Sequence, residues 1–177
     1  MQSSPLADLL AVNSRQALEF FYWSLYEVLT TKVRKDELLY NASLLSHYAH
    51  TSCYSDSDGF PCPRTLEVVF EQHVCSSEGG GALHKDLDYL EVVGGQTLFL
   101  TGFFKTRMGR RHNINWYRSL GASFYRNVAK QADAPETKEF FARMSLRFSF
   151  WADVQSQLED DLRKRPYLLR LPDGFVH

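Results

Sequence analysis

The histidines and cysteines that could ligate a metal are concentrated in one stretch of the sequence. That stretch contains His47, His50, Cys53, Cys62, His73 and Cys75. Imidazole and thiolate are ligands that zinc prefers, but structural zinc sites usually present closely spaced cysteine pairs. Here Cys53 and Cys62 are separated by a run rich in Asp, Ser and Gly. His47, His50 and Cys53 are therefore weak metal candidates, and we predict neither a metal site nor a cofactor.

Other catalytic patterns are missing from the sequence. A di-iron bundle needs Glu-x-x-His pairs, and no Glu of this chain has a His three residues later. The Gly-x-Ser-x-Gly elbow of a serine nucleophile is also absent. Gly79–Gly81 precede Lys85 without the spacing of a phosphate-binding loop, which favours a linker. These observations favour a non-enzymatic protein over an enzyme.

The strongest chemical signal is a basic stretch from Lys105 to Ala132 that contains no acidic residue. Its cations are Lys105, Arg107, Arg110, Arg111, Arg118, Arg126 and Lys130, and aromatic residues lie between them. Acidic residues are concentrated before and after the stretch, so one interpretation is a solvated face that is neutralised within the molecule. The other is a site for an anionic partner, because paired arginines can bind carboxylate or phosphate bidentately.

The anion-binding interpretation places Arg110 and Arg111 in a turn between two helices, where the amides that open the next helix add donors. The predicted contact residues are Lys105, Arg107, Arg110, Arg111, Trp116, Tyr117, Arg118 and Tyr125. A neighbouring stripe suggests a pocket formed by Phe99, Gly102, Phe103 and Gly121. Its alternative is close packing of two helices where side chains are missing.

The elements that must position these residues are helices. Apolar residues recur at three- and four-residue spacing in every long segment, which predicts an all-α, single-domain bundle of about five to seven helices. The predicted helices cover residues 14–32, 36–49, 64–75, 83–108 with a kink or a short break at Gly94-Gly95, 115–131, and 133–164 as the longest. A flexible loop is expected at about 51–64, and an apolar C-terminal tail at 166–177. The chain of 177 residues fits one such domain.

The charge balance limits the classes of partner. The net charge of −1 gives the whole molecule no field that would attract nucleic acid, and no apolar run is long enough to span a bilayer. The N-terminal residues lack the pattern of a secretory signal, and three cysteines suit reduced thiols better than disulfides. We therefore expect a cytoplasmic protein with a protein or anionic-ligand partner, and self-association stays open.

Several segments of the chain resemble a group of uncharacterised proteobacterial proteins. The resemblance is carried by Leu98–Phe104, Arg110-Arg111, Trp116-Tyr117 with Gly121 and Tyr125, and Phe140–Val154 with Arg147-Phe148 and Asp153-Val154. It extends over residues 38–162 and implies a bacterial, cytoplasmic, helical protein, with no activity attached.

Together these patterns predict a regulatory or adaptor protein that binds an anionic partner through a basic, aromatic helical hairpin. The alternative is a small-molecule-binding protein or enzyme with an aromatic pocket, in which Arg111 orients an anionic ligand.

Overall fold

The protein is an all-α bundle, as the helical spacing predicts. The computed structural model describes residues 5–52, 87–110 and 112–164, with the backbone alone described at 5–13 and 50–52. The described residues form seven helices and no strand. These are α1 (Pro5–Val28), α2 (Lys35–Ser52), α3 (Leu87–Gly102), α4 (Lys105–Met108), α5 (Ile114–Gln131), α6 (Pro135–Leu146) and α7 (Phe148–Lys164).

Helix α1 is longer at its N-terminus than the sequence predicts. It begins at Pro5 and continues through Ser14, the predicted start, and it ends at Val28 instead of Lys32. Proline at the first helical position lacks an amide hydrogen that the helix would leave unpaired in any case, so Pro5 is compatible with this start. The short apolar segment before Ser14 is therefore part of the first helix.

Of the kink or short break predicted at Gly94-Gly95, the break is wrong. Helix α3 continues through both glycines and ends at Gly102, and Phe103 and Phe104 separate it from the short α4. A β-carbon at Gly94 would lie 2.6 Å from the Tyr125 ring, and one at Gly95 would lie 2.8 Å from Leu44. The two glycines therefore allow neighbouring side chains to approach α3, which offsets their low helix propensity.

The longest predicted helix is divided into α6 and α7 at Arg147. The Arg147 amide donates to the Arg143 carbonyl at 2.9 Å, and the Trp151 amide donates to the Arg147 carbonyl at 3.0 Å. The chain direction is therefore largely maintained across the break. No proline or glycine occurs there, and the local sequence gave no signal for it.

Helix α3 lies at the centre of the bundle and packs mainly on α5 and α7, while α6 packs on α5, and α1 packs on α2 and α7. The largest fully buried side chains include Trp151, Tyr125, Phe124, Phe148 and Leu25. The stripe predicted to face inward from α5 is buried: Tyr117, Leu120, Gly121, Phe124 and Val128.

A buried carboxylate joins α2 to α6 and α7. Glu37 is fully buried, and its Oε2 atom accepts from Arg147 at 2.8 Å and from the Trp151 indole at 3.0 Å. Its Oε1 atom accepts from Arg143 Nε at 3.4 Å. One turn further along α2, Asn41 Oδ1 accepts from Gln155 of α7 at 3.0 Å. Burial of a charged group requires such partners, so these contacts fix how α2 lies against α6 and α7.

Other predictions fall outside the described residues. They are the helix at 64–75, the linker Gly79–Gly81, the apolar tail, and the 51–64 loop after Ser52, where α2 ends. Among the described helices, none has the length and apolar character needed to cross a bilayer.

Candidate functional site

The turn between α4 and α5 is held by hydrogen bonds at both of its ends. The Gly109 amide donates to the Lys105 carbonyl at 2.8 Å, and the His112 amide donates to the Met108 carbonyl at 2.9 Å. Asn113 caps α5, because its side-chain oxygen accepts from the Trp116 amide at 3.2 Å. Met108 is buried and anchors α4 to the core. The turn is therefore a fixed platform for the side chains around it.

Three of the predicted basic residues are exposed on this platform. Lys105, Arg107 and Arg110 are all open to solvent, and Trp116 on the first turn of α5 is 38% exposed. The guanidinium carbon of Arg107 lies 6.0 Å from the centre of the Phe104 ring, at the limit of a cation–π contact. Within the part of the chain that the structure describes, neither Arg107 nor Arg110 forms an ion pair. Arg111 lies outside the described residues.

Arg118 differs from these residues because an acid already neutralises it. Its Nη2 atom donates to Asp153 Oδ1 at 2.8 Å and to the Thr101 carbonyl at 3.4 Å, and its side chain is only 11% exposed. Lys105 contacts the same Asp153 oxygen at a longer distance of 3.5 Å. The self-pairing interpretation of the basic stretch therefore applies to Arg118 and partly to Lys105. We define the basic turn as Lys105, Arg107, Arg110 and Trp116.

Tyr117 and Tyr125, which the sequence placed in the contact surface, are buried in the core. The Tyr125 hydroxyl is 3.1 Å from that of Tyr40, and its ring lies against Gly94. Burial raises the pKa of the Tyr125 phenol, so the phenol stays neutral. These two aromatics hold α5 in the bundle and do not extend the exposed surface.

The predicted pocket residues lie in close helix contacts. A β-carbon at Gly102 would lie 2.8 Å from Gln155 Oε1 and 3.1 Å from the Ala152 carbonyl oxygen. A β-carbon at Gly121 would collide with the Phe148 ring and lie 2.9 Å from Thr97. Phe99 is buried and stacks on Tyr48 with ring centres 4.4 Å apart, and Phe103 is half-buried beside it. The space beside both glycines is filled by neighbouring side chains, as expected from close helix packing and not from a pocket.

Of the weak metal candidates, only the His47 side chain belongs to the part of the chain that the structure describes. His47 is exposed and its ring contacts Tyr48, whereas the His50 side chain and Cys53 are outside the described part. No group of three or more His, Cys, Asp or Glu residues with the geometry of a metal site occurs among the residues described.

A second basic surface was not in the predicted site. A groove of about 620 Å³ lies between α5 and α6, and its lining includes Ala129, Ala142 and Leu146. Arg126, Lys130 and Lys138 also line it, are exposed, and take part in no ion pair among the described residues. We call this the α5–α6 groove. The i,i+4 spacing of Arg126 and Lys130 was visible in the sequence, but the contribution of α6 was not.

The chain was compared with protein families, curated proteins and solved structures, and nothing in any of the three matches it.

Proposed function

We propose that this protein is a non-enzymatic adaptor or regulatory protein that binds an acidic partner protein through the basic turn. The observation that carries the proposal is the pair Arg107 and Arg110, which are exposed on a fixed turn without acids to neutralise them among the described residues. Guanidinium groups in that state can form charge-assisted, bidentate hydrogen bonds with carboxylates of a partner.

The surroundings of the two arginines support a protein partner. Trp116 offers exposed aromatic surface beside them, and Trp and Arg are the residue types most enriched among those that dominate binding energy. Asn113 uses its side chain to cap α5, while the partial positive charge at this helix N-terminus favours a nearby anion. The net charge of −1 makes a general attraction to nucleic acid a poor alternative.

The small-molecule alternative has less support. It requires open volume beside Gly102 and Gly121, and that volume is filled by Gln155, Ala152 and Phe148.

The proposal is tested by affinity recovery from cells that make the protein, followed by mass spectrometry of the captured proteins. We expect the wild-type chain to recover an acidic partner, and the double variant Arg107→Glu, Arg110→Glu to lose it. Recovery should also fall as salt rises, because exposed charges are screened. The matched control is Lys35→Glu, an exposed charge reversal on α2. Equal recovery by the double variant and the wild type would refute the proposal.

A further inference from the structure

The outer face of α1 carries three exposed aromatic side chains in a row. Phe20, Trp23 and Tyr26 follow one another at three-residue spacing, and the rings of Trp23 and Tyr26 meet edge to face at 5.9 Å. Trp23 is 61% exposed. The opposite face of α1 packs in the core, where Leu25 and Val28 are buried. We call these three aromatics the α1 ridge.

Aromatic rows of this kind on a surface indicate an interaction site more often than isolated apolar residues do. Trp and Tyr supply much of the binding energy at protein interfaces because they bury a large area with few rotatable bonds. The exposed acids Glu19 and Glu27 lie on the same side of the helix as the ridge, and Glu19 pairs with Arg15 at 3.0 Å. An occupant of this face should therefore offer apolar surface and cations that can lie over the exposed aromatic rings.

The α5–α6 groove has these properties. Its lining includes the small side chains of Ala129 and Ala142 and the apolar side chain of Leu146, which is 84% exposed. Arg126, Lys130 and Lys138 provide cations that can lie over aromatic faces, and Glu139, which also lines the groove, is paired with Arg143 at 2.6 Å. The groove thus offers the apolar surface and the cations that an aromatic row can contact.

We propose that the α1 ridge of one molecule binds in the α5–α6 groove of a second copy of this chain. The ridge lies on α1, which packs on α2 and α7, whereas the groove is formed by another helix pair. The two contacting surfaces are different, so the interface is head-to-tail. A dimer then leaves one ridge and one groove unused, and assembly continues with concentration until a ring closes.

The proposal goes beyond the binding of an acidic partner, because it uses none of the residues of the basic turn. Loss of Arg107 and Arg110 should leave self-association unchanged, and loss of the ridge should leave partner recovery by the basic turn in place. The two proposals therefore fail independently.

The test uses purified full-length protein and sedimentation velocity over a range of concentrations. The wild type should increase in mass with concentration. A ridge variant, Trp23→Ala with Tyr26→Ala, and a groove variant, Lys130→Glu with Lys138→Glu, should each self-associate at least about tenfold more weakly, as expected when a dominant interface residue is lost. Mixing the two variants should restore one complete interface, from the intact groove of one and the intact ridge of the other. The mixture should therefore form a one-to-one dimer that does not grow further.

Two controls protect the result from trivial explanations. Val92→Ala removes an exposed apolar side chain outside both surfaces, and Lys35→Glu reverses an exposed charge; both should associate as the wild type does. Circular dichroism melts should show that all variants are folded. A wild type that stays monomeric at all concentrations overturns the proposal. So does a groove variant that still dimerises alone, because that result indicates a symmetric contact of ridge with ridge.

Discussion

The two arginine-rich regions of this molecule use the same side chain for opposite purposes. At the junction of α2, α6 and α7, Arg143 and Arg147 both donate to the buried Glu37, and Arg143 also donates to Asp36 at 2.7 Å. At the basic turn, Arg107 and Arg110 are exposed and have no acid among the described residues. Arginines of the first kind organise the fold, whereas those of the second kind are exposed to solvent. The number of arginines in a sequence segment does not distinguish the two.

The largest effect should come from removing the acid at the centre of the first region. Glu37→Ala leaves two guanidinium groups and the Trp151 indole without their shared acceptor, and we expect a loss of about 3–5 kcal/mol in the free energy of unfolding. Chemical denaturation with urea measures it. The matched control is the adjacent Asp36→Ala, a half-exposed acid, which should cost about 1 kcal/mol or less. Similar losses for the two variants would show that the buried cluster does not hold the helices together.

Close packing of α5 against its neighbours gives the next largest effect. At Gly121, any side chain would collide with the Phe148 ring, so Gly121→Val should destabilise the fold by about 3 kcal/mol. At Gly109, between α4 and α5, the nearest atoms to an added β-carbon are 3.2 Å away, and the backbone φ angle is −64°. Gly109→Ala should therefore change stability by less than about 1 kcal/mol. Thermal melts of both variants compare the packed and the exposed glycine directly.

The sequence predicted the fold class and the inward face of α5 because helical spacing of apolar residues is a local property. It did not reveal the burial of Glu37, because that depends on contacts with residues more than 100 positions away. It also did not reveal the division at Arg147, which no local sequence signal marks. It could not distinguish Arg118, which pairs with Asp153 of α7, from Arg110, because that contact depends on how α5 and α7 pack. The α5–α6 groove was missed since it arises only when two helices pack side by side.

Alkaline pH should weaken the packed region around Tyr48. Burial raises the pKa of the Tyr48 phenol from 10 to about 12, so the folded state holds this proton more tightly than the unfolded state. The corresponding stability is fully present below pH 10 and is lost as pH rises towards 12, by up to about 2 kcal/mol.

Urea unfolding at pH 9 and at successive values up to pH 11.5 measures this slope. Tyr48→Phe removes the ionisable hydroxyl and should reduce the slope, whereas Tyr26→Phe, which alters an exposed ring of the α1 ridge, should not. An identical slope in the Tyr48 variant would assign the alkaline loss to other buried phenols such as Tyr40, whose pKa burial also raises.

Substitutions in the basic turn should have the smallest effect on stability. A binding surface tolerates such substitutions without loss of stability, whereas a structural contact does not. Arg107→Ala with Arg110→Ala removes two exposed guanidinium groups that have no ion pair among the described residues, and we expect a change within about 0.5 kcal/mol. Arg118→Ala removes an arginine of the same basic stretch that donates to Asp153 and to the Thr101 carbonyl. That variant should cost more, about 1 kcal/mol, because Asp153 and the carbonyl lose a common donor. Denaturation curves of the two variants at low and high salt measure whether the arginines of the basic turn contribute to stability as Arg118 does. If the double variant proved as costly as Arg118→Ala, the turn would belong with the Glu37 cluster as a structural element, and the partner-binding proposal would lose its main support.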